Sequence, residues 1–130
     1  MRASYDYAII RVVPRVERAE FINAGVILAC QDAAFLDARI ELDEARLRAL
    51  DPRVDVATVR DHLGAIARLC AGGPAAGALG HLSRRERFDW LTAPRSALIQ
   101  TSAVHTGVCG DAEAVLEHLM QVMVRVAGKP

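Results

Sequence analysis

The sequence predicts an α+β fold: a mainly antiparallel sheet of about four strands, with helices packed on one face. Three observations carry this. Strand-like apolar runs come first and helical stripes follow, so the two kinds of element are segregated instead of alternating. The first two strand-like runs stand only about ten residues apart, the lower limit for a parallel crossover with its helix, so an antiparallel pair is expected. The 130 residues suffice for one domain, residues 1–130, around a single core.

Tyr5 to Val13 reads YDYAIIRVV, rich in aromatic and β-branched types, and Pro14 then removes a backbone donor and ends the ladder. Gly25 to Cys30, GVILAC, is apolar on both faces and reads as an interior strand. Phe35 to Leu42 alternates, with Leu36, Ala38, Ile40 and Leu42 on one face and Asp37, Arg39 and Glu41 on the other, which is a half-buried antiparallel strand. Asp43 is placed to cap a short helix, EARLRAL, that stops before Pro52. Val56, Val59, Leu63, Ile66 and Cys70 then recur at helical spacing on a helix ending near Gly72 and Gly73. GGPAAGALG, residues 72–80, reads as a flexible connector. It lacks the Lys-Ser or Lys-Thr of a phosphate loop. A strand is expected over about 97–106, and Asp111 caps a last helix whose apolar face runs from Val115 to Val126.

Sixteen basic and sixteen acidic side chains cancel, so no net field draws the chain to nucleic acid or an anionic membrane. The early apolar run is short and interrupted by Asp6 and Arg11, so neither a signal peptide nor a membrane span is expected. Cys30, Cys70 and Cys109 are odd in number and widely spaced. That argues against a disulfide framework and for a reducing cytoplasm. No His or Cys has metal-ligand spacing with another, and neither a metal nor a cofactor is expected.

Two stretches concentrate polar chemistry. Arg15, Glu17, Arg18, Glu20 and Asn23 form a charged run between the first two strands, punctuated by Pro14 and Gly25, where a rigid sheet would fix the geometry of binding groups. The alternative is a solvated loop of self-paired charges. Glu17 and Glu20 have the spacing of an acid–base or cation pair, yet Arg15 and Arg18 beside them would lower both carboxyl pKa values, which favours ion pairing. The second stretch runs from Arg84 to His105. Its basic residues interleave with Phe88 and Trp90, a pattern able to grip anions and stack on rings, against a reading in which both aromatics anchor the core. In a chain with few aromatics, Trp90 is read as such an anchor. His105 is the best single titrating candidate, with a hydrogen-bonded strand-end histidine as the alternative, and Cys109 has no partners for nucleophilic catalysis.

With YDYAIIRVVPRVERAEFINAGVIL at one end and RFDWLTAPRSALIQTSAVHTG at the other, the chain resembles the uncharacterised bacterial family called domain of unknown function 3037 over nearly its whole length. The Glu-Phe-x-Asn-x-Gly-Val run, residues 20–26, is its most specific part, and Ala19 stands where the resemblance leads one to expect Gly. The resemblance implies no chemistry. It suggests a partner protein, a kinase of the HipA-like type. The expected function is thus a small cytoplasmic accessory or binding protein. Its face would join the 15–23 loop to the 84–105 segment, and its residues Arg15, Arg18, Asn23, Arg87 and Arg95 would hold an anionic group of a protein partner or small ligand. The alternative is an enzyme on a phosphate-containing or nucleotide substrate, with Glu17 or Glu20 and His105 as acid and base.

Overall fold

A computed structural model describes residues 2–126. The protein is α+β, built on an antiparallel sheet. β1 (Ala3–Val12) is its central strand, with β2 (Ile22–Cys30) and then β3 (Phe35–Ile40) on one side. Its other side carries two short strands in tandem: β4 (Ile99–Thr101) pairs with Ile10 to Val12, and β5 (His105–Cys109) with Ala3 to Tyr7. The single strand expected over 97–106 is broken at Ser102, which joins the ladder through its side chain. Ser102 N donates to Ile9 O (2.9 Å), while Ser102 Oγ accepts from Ile9 N (2.8 Å) in place of a carbonyl.

The helices are α1 (Glu44–Leu50), α2 (Val56–Ala71), α3 (Arg84–Leu91) and α4 (Ala112–Leu119), which runs on into a π-helical turn, Met120–Val124. Asp43, Asp55, Ser83 and Asp111 each accept from a free amide of the first turn, which supplies the N-terminal caps. Residues 74–81, read as flexible, form 3-10 turns instead. Gly73 N donates to Gly80 O (2.9 Å), and Gly80 is buried where only hydrogen fits.

Both faces of the sheet are covered. Ile10, Val12 and Ile27 pack against Leu47, Val59, Leu63 and Phe88 from α1, α2 and α3. Ile9, Val26 and Leu28 pack against Leu116, Leu119 and Met120 on the other face. The expected arrangement on one face is therefore extended by α4, and the reason lies in the strands. β1 and β2 are apolar on alternating and non-alternating positions alike, so neither face could be left in water. No described helix is long and apolar enough to cross a membrane.

A β-bulge in β2 explains the Glu-Phe-x-Asn-x-Gly-Val run. The register pairs Ile10 with Gly25 and Arg11 with Asn23, which leaves Ala24 as the extra residue. By strict alternation with Val26 and Leu28, position 24 would face α4. The bulge sends Ala24 into the α1–α3 core and turns Asn23 toward α4, where its Nδ2 donates to Met123 O (2.9 Å). At the mouth of the preceding loop Ala19 has φ 58° and ψ 14°, the left-handed conformation that costs an alanine about 1 kcal/mol. Ala19→Gly is therefore expected to stabilise the protein by about 1 kcal/mol, read as a higher urea midpoint at unchanged m. An unchanged or lower midpoint would show that the loop is not held in this conformation in solution.

Candidate functional site

The two polar stretches adjoin where Val13 N bonds to Leu98 O, but among the described residues no hydrogen bond or ion pair joins the charged side chains of the 15–23 loop to those of the 84–105 segment. Arg15 pairs with Glu17 (Nε to Oε1, 2.9 Å) and Arg18 with Glu20 (2.6 Å), all four exposed on the surface of the loop. The hydrogen bond from Arg15 holds the Glu17 carboxyl below the usual carboxylate range, opposite to what a general acid needs. His105 is exposed on β5, its ring 5.3 Å from that of Tyr7, its cross-strand partner. From Tyr7 to Val13, where the loop begins, β1 runs about 20 Å. The structure thus does not assemble Glu17 or Glu20 with His105 as an acid–base pair.

Arg87 is spent inside the protein. Only 8% exposed, it donates from Nη1 to Leu69 O (2.9 Å) and Cys70 O (2.8 Å) and from Nε to Leu82 O (3.1 Å). It therefore caps the C-terminal carbonyls of α2 from a neighbouring helix, which engages its Nε and Nη1 inside the protein. The cysteines are buried as well. Burial pushes the Cys70 thiol up to about 12 and raises that of Cys109, so neither is activated as a thiolate. Among the described residues no three His, Cys, Asp or Glu side chains gather as metal ligands.

Trp90 departs from its expected place in the core. It is 51% exposed, whereas Phe88 is fully buried and is the anchor of α3. The phase of α3 is the cause. A capping box, with Ser83 bonded to the Glu86 amide and Glu86 to the Ser83 amide, fixes where the helix starts. Phe88 and Leu91, three apart, then share the inward face. Trp90, two residues past Phe88, lies about 200° around the helix from it.

Beside Trp90 a groove of about 300 Å³ opens between α2, the end of α3 and β4. Ile66, Leu69 and Leu91 make its apolar floor, and Asp61, His62 and Arg95 stand among its polar groups. The Arg95 guanidinium lies over the indole, 5.6 Å from the ring centroid, and donates to Trp90 O. β4 forms the rim. Val13 N bonds to Leu98 O and Ser102 N to Ile9 O, so by antiparallel alternation Gln100 also faces β1 while Ile99 and Thr101 turn their backbone groups outward. Among the described residues that is a short free strand edge next to an apolar trough.

A second groove, about 270 Å³, lies at the other end of α3 between Asp6, Arg85, Tyr5 and Phe35. Asp6 and Arg85 there already satisfy each other. Asp6 accepts from Arg85 (2.7 Å) and Thr106 (2.7 Å), which together hold its carboxyl below the usual range, and Arg85 also pairs with Asp89 (3.0 Å). The Trp90 groove, more apolar and less self-satisfied, is the better candidate. Of the expected binding residues it includes Arg95. The signal that could have revealed Trp90 is the capping box, which sets the helix phase.

The sequence model of a family described as "Protein of unknown function (DUF3037)" matches residues 7–124. No curated protein and no solved structure matches the chain.

Proposed function

We propose, from the premise that the chain belongs to the DUF3037 family of proteins of unknown function, that it acts as a binding module for an extended segment of a protein partner. The observation that carries this reading is the half-exposed Trp90 at the wall of a groove. An exposed indole over an apolar floor is a typical anchor for a partner side chain. The free edge of β4 adds the means to hold a peptide by its main chain, since the outward N–H and C=O of Ile99 and Thr101 suit an added strand. Asp61, His62 and Arg95, which line the groove, favour polar or charged flanks in that segment. A HipA-like kinase, suggested by the family resemblance, is the first partner to test.

The test is site-specific photocrosslinking in cells of the protein's own host. A photoreactive residue in place of Ala65, which lines the groove, is expected to capture one polypeptide; the same residue at exposed Ala75, outside it, is not. Trp90→Ala is expected to abolish the Ala65 crosslink while changing stability by no more than about 1 kcal/mol, because the side chain is half in water. Equal capture at both positions, or capture indifferent to Trp90→Ala, would remove the groove from the function.

A further inference from the structure

The edge of β4 that borders the Trp90 groove has a defined length. Val13 N bonds to Leu98 O and Ser102 N to Ile9 O, so Gln100 between them also faces β1, while Ile99 and Thr101 turn their N–H and C=O outward. The edge goes no further at either end. Gln100 Nε2 donates to Ala97 O (2.9 Å), and Ser102 Oγ donates to Ala103 O (2.9 Å). The carbonyls two residues before Ile99 and two after Thr101 are thus already engaged. The edge of β3, by contrast, is closed. Glu41 N bonds to Ala24 O, which by alternation turns Ala38 outward, and the Ala38 N–H donates to Asp37 Oδ1 (2.9 Å). β5 is an edge as well, but none of its residues lines the Trp90 groove.

Side-chain direction follows from the same ladder. Ile99 pairs with Val12 and Thr101 with Ile10, both members of the core beneath α1, α2 and α3, and Ile99 and Thr101 themselves line the groove. A residue set opposite either of them on an added strand sends its side chain to that same face, and the residue between points to the other. On so short an edge the antiparallel direction is favoured, because two residues of the added strand then make every bond to Ile99 and Thr101. Ile66, Leu69 and Leu91 make the floor beneath them apolar. Asp61 and Arg95 give the groove both signs of charge, so no net charge is asked of the occupant.

We propose that the groove reads a three-residue pattern, apolar then any residue then apolar, in a strand that a protein partner adds antiparallel to β4. The two apolar residues exchange main-chain hydrogen bonds with Ile99 and Thr101 and place their side chains in the groove beside Trp90, while the middle residue faces away and is free to be polar. A helical segment, with apolar residues three or four apart, would leave the outward groups of Ile99 and Thr101 unused. The proposal rests on the reading of the groove as a site for an extended partner segment and adds the sequence rule by which that segment is chosen.

The probe is the end-capped peptide KTLTLTK, titrated into the ¹⁵N-labelled chain. Saturable shifts of the Ile99 and Thr101 amides are expected, with slowed exchange of both. The isomer KTLLTTK, of the same composition but with its leucines adjacent, is expected to bind about tenfold or more weakly, since only one leucine can then reach the groove. Methylating the backbone nitrogen of either leucine of KTLTLTK removes an N–H aimed at β4, with a loss of about tenfold expected; methylating the threonine between them, whose N–H points away, is expected to change little. Equal binding of the two isomers, or an equal loss on methylating that threonine, would overturn the pattern. So would failure of KTLTLTK to bind; capture at Ala65 would then still uphold the groove as a binding site, and its absence would remove that reading too. Protection of the Ile99 and Thr101 amides that rises with protein concentration in the absence of peptide would assign the edge to a second copy and overturn the proposal.

Discussion

Arg87→Met is expected to destabilise the protein by about 3 to 5 kcal/mol, a large share of the ~5 to 15 kcal/mol that holds a domain of this size together. Methionine nearly preserves the buried volume, so the loss isolates the hydrogen bonds. The last carbonyls of α2 have no partners within the helix, and Arg87 supplies them at Leu69 and Cys70 while its Nε ties down Leu82. Each bond to a charged donor contributes roughly 1.5 to 3 kcal/mol, and the carbonyls stay buried when the donor goes. Relief of the cost of burying a cation offsets part of this, which is why the expected value is below the sum of three bonds. Positive charge at this helix end also complements the macrodipole. Gly72 belongs to the same arrangement: at φ +76° its Cα lies against the guanidinium, where a methyl group would collide with Arg87. Arg87→Lys is expected to recover only part of the loss, because one ammonium cannot span the three acceptors. A urea midpoint for Arg87→Met that corresponds to less than about 1 kcal/mol would mean that water replaces the side chain at the α2 terminus.

Residues whose role depends on local pattern were legible, and those whose role depends on a distant partner were not. β1 follows from its aromatic and β-branched run ended by Pro14, β2 from a run apolar on both faces and β3 from alternation; α1, α2 and α4 follow from Asp43, the Val59 to Cys70 stripe and Asp111. Arg87 sits among Arg84, Arg85 and Glu86, and nothing in that string distinguishes the one buried arginine from the solvated ones. Its acceptors lie five, seventeen and eighteen residues away in the chain. Arg11 in YAIIRVV reads as the polar position of a half-exposed strand, and only the structure shows that no carboxylate among the described residues reaches it. The interleaved charges of the 15–23 loop invited a binding reading. In the folded chain Arg15 and Arg18 are taken up by Glu17 and Glu20, two residues along in each case. Trp90 misled for a compositional reason: scarcity of aromatics favours burial, but in an eight-residue helix whose start is set by a capping box, phase outranks composition.

Gly25→Ala is expected to be at least as damaging, about 4 kcal/mol or more, and its effect is steric instead of conformational. The backbone at Gly25 is not left-handed, so alanine could adopt it. The added methyl would instead strike the backbone oxygen of Arg39 and stand 3.0 Å from Ile10 Cδ1 and 3.3 Å from Ile40 Cα. Two of those neighbours are main chain of β3, which cannot rotate away as a side chain would. Relief requires β3 to separate from β2 at the Gly25 to Ile40 pairing, and Glu41 N then loses its bond to Ala24 O (2.8 Å). The strain also reaches the bulge that points Asn23 at Met123, so the docking of the α4 extension onto β2 weakens with it. Two readouts separate this from a general loss of stability. Amide exchange across Leu36 to Ile40 should accelerate more than exchange across α2, and the Asn23 side-chain amide should lose its protection. If Gly25→Ala unfolds within about 1 kcal/mol of the parent and β3 exchange is unchanged, the close approach of the two strands does not exist in solution. The bulge would then no longer account for the orientation of Asn23.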